Sequence, residues 1–307
     1  MELLTYLSSL SIPNLFSRMP AAAAQGIIWG IMALGVYITF RLLNVSDLTV
    51  DGSFATGGAV TVMLLLQGLP AWAALLIAVL VGILTGLCTG LLHTKFGIPA
   101  ILAGILTQFA LYSINLRIMG KANQTASIKN FGMFWETNGK GFLMSSLYVP
   151  QALIAGLLLS AALVALLYWY FGTEQGSAMR ATGANPSMSR AQGINVDFVK
   201  VLGLMLSNGL VALASALYCQ YQGFADVNAG RGAIVIGLAA VIIGEVLFSR
   251  IFRNFALRLL GVSLGAVVYY LVIQVVLNLG LNTNDLKLIS AFVVAIFLAV
   301  PYWKGAL

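Results

Sequence analysis

Nine Asp and Glu side chains stand in this 307-residue chain, and Asp47, Asp51 and Glu245 fall inside or beside long apolar runs. An ionised side chain at the centre of a bilayer costs about 2.5–3.5 kcal/mol on insertion scales, so an acid in such a run has to have water, a partner or a helix end to cap. Asp47, Asp51 and Ser53 cluster beside Gly52, Gly57 and Gly58. Two readings fit them. The carboxylates cap the start of the apolar run that follows, or a broken helix exposes them and its own backbone to a cavity. Gln108 and Asn115 are seven apart and share one helix face, while Asn208 stands among Leu and Val in mid-run. These neutral amides either hydrogen-bond between helices or line a path for a polar solute. Glu245 is about one turn from Arg250, which suits a local ion pair or a transport role.

Other chemistry finds no constellation. Cys88 and Cys219 lie in apolar runs, without the Cys/His spacing of a metal site or a disulfide framework, and read as packing residues. The single histidine, His93, ends an apolar run and reads as an interfacial side chain. There is no Gly-x-x-x-x-Gly-Lys-Ser/Thr phosphate loop, no Ser/His/Asp arrangement, and too few acids for a hard-metal site. Neither a metal nor a cofactor is expected in this chain.

The elements that must position these residues follow from composition. Hydrophobic residues make up 60% of the chain and charged ones 8%, with a mean hydropathy of +0.97. A soluble domain carries about 25% charged residues. The net charge of +7 is spread over the ends of apolar runs, as membrane-span flanks require, and forms no stripe for nucleic acid. A helix of about 20 apolar residues crosses the hydrocarbon, and nine runs qualify: about 21–43, 53–68, 70–92, 98–118, 149–171, 200–221, 232–249, 258–279 and 288–303. The expected fold is an all-α polytopic membrane protein of about nine spans. Residues 1–20 read as a short interfacial segment and 21–307 as one transmembrane domain.

Orientation comes from Lys and Arg in the connections. Placing the N-terminus outside puts Arg41, Lys95, Arg180, Arg190, Lys200, Arg250, Arg253, Arg258 and Lys304 inside; Arg18, Arg117, Lys121, Lys129, Lys140, Arg231 and Lys287 then lie outside. Two connections are long, an outer one at 119–148 and an inner one at 172–199. In the inner one Asn185 and Pro186 are a helix start and Gly193 a stop, giving a cytoplasmic helix over Pro186–Gln192. So short a helix has to dock on something. Stretches 51–60 and 226–235 both set a Gly-rich turn before an apolar run, which suggests two pseudo-symmetric halves.

The run 180–196, Arg-Ala-Thr-Gly-Ala-Asn-Pro-Ser-Met-Ser-Arg-Ala-Gln-Gly-Ile-Asn-Val, resembles the coupling loop of permease subunits of bacterial ABC importers of the ribose and branched-chain amino-acid type. Asp47-Leu48-Thr49-Val50-Asp51-Gly52-Ser53 is similar to the turn after that family's first conserved span, and Ile101 to Gly120 is similar to its Thr-rich span. The matches keep the family order over about 40–245. The chain departs from the sugar members in having no full extra span before residue 21, and it carries Glu245 where many members have a second glycine.

The resemblance implies a homodimer in the bacterial inner membrane, two cytoplasmic ABC ATPase subunits holding ATP-Mg, and an extracytoplasmic solute-binding protein. It gives ATPase coupling to Arg180, Asn185, Pro186, Ser187, Met188, Arg190 and Gly193. The candidates for the translocation path are Asp47, Asp51, Ser53, Gln108, Asn115, Asn208 and Glu245. The branch it looks most like is associated with aromatic amino acids. A sugar or nucleoside importer is the alternative of the same mechanism. A secondary transporter using Asp47, Asp51 and Glu245 as ion sites is the alternative of a different one.

Overall fold

A computed structural model describes residues 12–127, 141–248, 254–278 and 286–303. Helix α1, Ile12–Tyr37, passes through Pro20 and continues in a π-helical turn, Ile38–Leu42. Then come α2, Thr49–Leu66; α3, Ala71–Thr94; and α4, Ala100–Met119. Strand β1, Asn123–Thr125, precedes α5, Val149–Phe171. Two short helices follow, α6, Glu174–Ala184, and α7, Pro186–Ala191. The rest is α8, Val196–Gln222; strand β2, Phe224–Asp226; α9, Ala233–Phe248; α10, Phe255–Asn278; and α11, Leu286–Trp303. The strands pair antiparallel, Asn123 opposite Asp226.

The sequence places the helix ends. Pro70 and Pro99 precede α3 and α4 in extended backbone. Gly120 and Gly223 end α4 and α8 in the left-handed region that favours glycine. Seven helical stretches among the described residues are long and apolar enough to cross a membrane: 16–42, 49–66, 71–94, 100–119, 146–171, 196–222 and 255–278. Helix α9 has 16 residues, about 24 Å, less than the hydrocarbon thickness of about 30 Å.

Close approach of backbones holds the bundle together, as expected where lipid removes any hydrophobic gain between helices. Gly57, Gly82 and Gly86 lie against the backbone of α8 at Ala212, Asn208 and Leu204, with no room for a Cβ. Gly26 and Gly30 do the same for α1 on α10, where an added Cβ would stand 2.7 Å from Val267 Cα and from Ser263 Oγ. The stripe Trp72, Leu76, Leu80 and Leu84 on α3 is exposed, as lipid or a neighbouring chain requires. One end of the bundle gathers Arg41, Lys95, Lys200 and helices α6 and α7, and is called the inner end below. There Lys200 Nζ lies 3.4 Å from His93 Nε2. The strand pair is at the outer end.

Several expectations change. Residues 12–20 are helical and continuous with the rest of α1, and residues 1–11 lie outside the described part. The inner connection holds two helices instead of one. Cys88 is exposed, while Cys219 is buried. The aromatic residues of the outer connection, Phe131, Phe134 and Trp135, lie outside the described residues.

Candidate functional site

Two interruptions of the bundle carry the polar groups. The first, residues 43–48, joins the π-helical turn to α2. Asn44 enters the left-handed region there, φ 54°, which Asn tolerates better than most residues. Asp47 is buried; its Oδ1 accepts from Thr49 N–H at 2.9 Å and its Oδ2 accepts from Asn208 Nδ2 at 2.7 Å. Asn208 Oδ1 accepts from Ser53 Oγ at 2.6 Å, and Ser53 Oγ stands 2.7 Å from Thr85 Oγ1. One turn inward, Thr49 Oγ1 is 2.7 Å from Thr89 Oγ1, which donates to Thr107 Oγ1 at 2.9 Å. A polar seam thus runs across α2, α3, α4 and α8 with its members buried and paired. The partner of Asp47 for capping is its own following helix, so of the two sequence readings the cap describes it. Asp47, Ser53 and Asn208 face one another inside the bundle and line no open surface.

The second interruption is residues 223–232, Gly-Phe-Ala-Asp-Val-Asn-Ala-Gly-Arg-Gly. Sequence reading set it as an outer loop carrying Arg231. The structure keeps Phe224–Asp226 paired with β1 at the outer end and folds residues 227–232 back into the bundle. Gly230 lies on the Asp51 carbonyl with no space for a side chain, and Gly232 adopts φ +85°. Asp51 Oδ2 accepts from Gly232 N–H and Oδ1 from Ile234 N–H, both at 3.0 Å. Asp51 therefore caps α9, not the helix it belongs to. Helix α9 starts at membrane depth for this reason, and the expected span 232–249 begins there rather than at the outer surface. Arg231 is exposed at that depth, with its guanidinium 5.7 Å from the ring centroid of Tyr112.

The remaining path candidates are dispersed. Gln108 is half-buried, its Cα 3.0 Å from where a Cβ on Gly52 would stand. Asn115 is fully buried, and neither of its amide atoms has a hydrogen-bond partner among the described residues. Glu245 Oε1 accepts from Arg41 Nε at 2.9 Å; Arg250, the neighbour suggested by spacing, lies outside the described residues. Sequence reasoning missed Thr85, Thr89 and Thr107 as partners of Ser53 and Thr49. Two of them, Thr85 and Thr89, are four apart on one helix face, which is a usable signal.

The inner module is built differently. Thr173 accepts from Gly176 N–H and starts α6. Arg180 donates to the Phe171 carbonyl at 2.9 Å and lies 5.5 Å over the Phe255 ring, tying α6 to α5 and α10. Gly183 rests on the Leu42 carbonyl, so α6 sits directly under the first interruption. Asn185 Oδ1 accepts from Met188 N–H at 3.1 Å with Pro186 in the first turn of α7. Gly193 turns the chain at φ +81°. Ser187 and Met188 are exposed, Met188 by 62%. Arg190 pairs with Asp197 at 3.3 Å, both exposed. Among the described residues no three His, Cys, Asp or Glu side chains converge as metal ligands would.

The family model for the permease component of branched-chain amino acid transport systems matches residues 19–301. The chain is 40% identical over 279 residues to the tyrosine transport system permease protein of Clostridioides difficile, covering 90% of this chain and 88% of that one. An uncharacterized protein of Rickettsia prowazekii is 33% identical over 280 residues, 91% and 95% of the two chains. The ribose import permease protein of Escherichia coli is 26% identical over 299 residues, 96% and 87%. Together with its apolar helices, these matches make the protein a multi-pass protein of the bacterial inner membrane. The chain belongs to the family of permease components of branched-chain amino acid transport systems.

Proposed function

We propose that the chain forms the membrane path of a binding-protein-dependent ABC importer, as a homodimer, and that its solute is an aromatic amino acid such as tyrosine. The observation that carries the choice of solute is the 40% identity with a tyrosine transport permease across 90% of the chain, against 26% for a ribose permease. Solute arrives from an extracytoplasmic binding protein. Two ABC ATPases, which hold ATP-Mg, act from below, and this chain supplies no hydrolytic chemistry of its own.

The bundle is read as nine spans containing two inverted halves, 12–119 and 196–303. Each half has a long helix, a break, a short helix, a helix of 24 residues and a fourth helix. The long helices have 26 and 27 residues, the short ones 18 and 16, and the fourth 20 and 18. Such halves with discontinuous helices can rock about a site near midplane. Helix α7 is the contact that would transmit ATPase motion. Met188 offers an apolar knob and Arg190 a charge to an acidic groove, while Gly183 on Leu42 carries movement of α6 to the first break.

A secondary transporter would have to titrate or bind cations at Asp47, Asp51 or Glu245. Hydrogen bonds from Thr49, Asn208, Gly232 and Ile234 already engage both oxygens of each aspartate, and Arg41 engages Glu245. This favours the ATP-driven reading.

The test is purification of the permease after co-expression with its ATPase and binding protein. The expected result is a stable complex with the ATPase, and L-tyrosine retained by the binding protein. Retention of ribose instead would overturn the amino-acid assignment, and absence of any ATPase contact would overturn the importer. Arg190→Glu should leave the permease folded but cut uptake about tenfold or more, because it sets a carboxylate against acidic ATPase residues and Asp197. Normal uptake by that variant removes α7 as the coupling element.

A further inference from the structure

We propose that Arg231 and Tyr112 form a binding station inside the translocation path that takes the carboxylate and the aromatic ring of the passing amino acid. The proposal rests on the reading of this chain as the path of an amino-acid importer. Arg231 stands between Gly230, which lies on the Asp51 carbonyl, and Gly232, whose N–H is held by the Asp51 carboxylate. Its backbone is therefore pinned on both sides at the level of the first turn of α2. That level is well below the surface: Thr49, which starts α2, faces Thr89 of α3, about 7 Å short of the inner end of α3. Tyr112 is about 18 Å along the roughly 30 Å of α4.

The guanidinium leaves the bundle at this depth instead of entering it. Arg231 and Tyr112 are both exposed, Tyr112 by 38%. No ion pair to Arg231 exists among the described residues: the Asp51 oxygens serve two backbone N–H groups, and Asp226 Oδ1 serves Asn228. An arginine stays charged at every physiological pH and does not face acyl chains unpaired. In this proposal water reaches Arg231, and this face of α4 with the second break forms a wall of the wet path.

The chemistry selects one class of solute. A planar guanidinium matches a carboxylate bidentately, and the tyrosine face beside it gives a ring something to stack on. Gln108, half-buried, shares the stripe of α4 that carries Tyr112. Exposure to water keeps the carboxylate contact weak enough to release. A neutral sugar offers this cation hydroxyl acceptors but no carboxylate for a charge-assisted bidentate pair.

The experiment uses the full complex in proteoliposomes with L-tyrosine as the probe. Arg231→Gln should lower initial L-tyrosine uptake about tenfold or more, and Arg231→Lys should keep a larger part of it. Arg231→Cys, in a chain with Cys88→Ser and Cys219→Ala, should react with a membrane-impermeant cationic thiosulfonate, more slowly when L-tyrosine is being transported. Wild-type uptake by Arg231→Gln overturns the proposal. So does an unreactive thiol in a complex that transports L-tyrosine, since the side chain then faces lipid or the second copy. Protection by phosphatidylglycerol instead of L-tyrosine overturns it in favour of a lipid phosphate. A wild-type complex that imports ribose and no amino acid refutes the functional reading itself, and the station with it.

Discussion

In the first break, residues 43–48, the acid belongs to the break: Asp47 caps its own following helix and takes its second hydrogen bond from Asn208 on α8. In the second, residues 223–232, the acid comes from another helix, because Asp51 of α2 reaches across to the first N–H groups of α9. The Asp47 carboxylate at the first break is buried and paired, with Asn208, Ser53, Thr49 and the threonines of α3 and α4 around it, as burial in a medium without water demands. The second lies at the edge of the bundle, where Arg231 is exposed and pairs with no acid among the described residues. The two interruptions thus serve different ends. One is a sealed joint that fixes helix positions, and the other presents a charge at membrane depth.

The largest expected effect breaks the sealed joint. Asp47→Leu takes the acceptor from the Thr49 N–H and one of the two acceptors from the Asn208 amide, which keeps the Leu204 carbonyl, about 1–3 kcal/mol for each orphaned N–H. Asn208→Leu removes one acceptor from Ser53, which keeps Thr85, and one donor from Asp47, which keeps the Thr49 N–H. Both variants should lose yield and thermal midpoint in detergent, with L-tyrosine uptake falling in proportion to folded protein. Full stability with selective loss of uptake would instead place Asp47 and Asn208 on the path.

An intermediate effect is expected where the two breaks meet. Asp51→Ala uncaps α9 and should cost about 0.5–2 kcal/mol, whereas Asp51→Asn retains one acceptor and should cost less. Thermal midpoints of the two variants, compared with that of the wild type, measure the difference. Equal values would show that the carboxylate does not hold the second break in place.

Much of the architecture was legible in the sequence because hydropathy reports it locally. The apolar runs each coincide with a helix, and Asn185-Pro186 places α7 to within a residue. The glycines of α1, α2 and α3 fall where backbones touch. What stayed hidden depends on residues distant in the chain. The depth at which α9 starts is set by Asp51, 181 positions before Gly232, and Glu245 meets Arg41, 204 positions away. Helix α6 was hidden for another reason: it is polar, and its Thr173 cap and Arg180 anchor act through geometry that composition does not encode.

The smallest expected effect separates the two amides that sequence reading grouped together. Gln108→Leu alters a half-buried residue beside the second break and should lower L-tyrosine uptake a few-fold while leaving the thermal midpoint within about 0.5 kcal/mol equivalent of wild type. Asn208→Leu should show the reverse pattern. Identical behaviour of the two would erase the distinction between a sealed and a wet break.

The claim at the centre of this account is that ATP hydrolysis, coupled through α7, moves an amino acid along the face that carries Arg231. It is tested most directly by L-tyrosine accumulation in proteoliposomes containing permease, ATPase and binding protein, with ATP-Mg supplied on the ATPase side and ion gradients collapsed. The account predicts uphill accumulation that stops when ATP is replaced by a non-hydrolysable analogue. Accumulation driven by a proton or sodium gradient without ATP would contradict it.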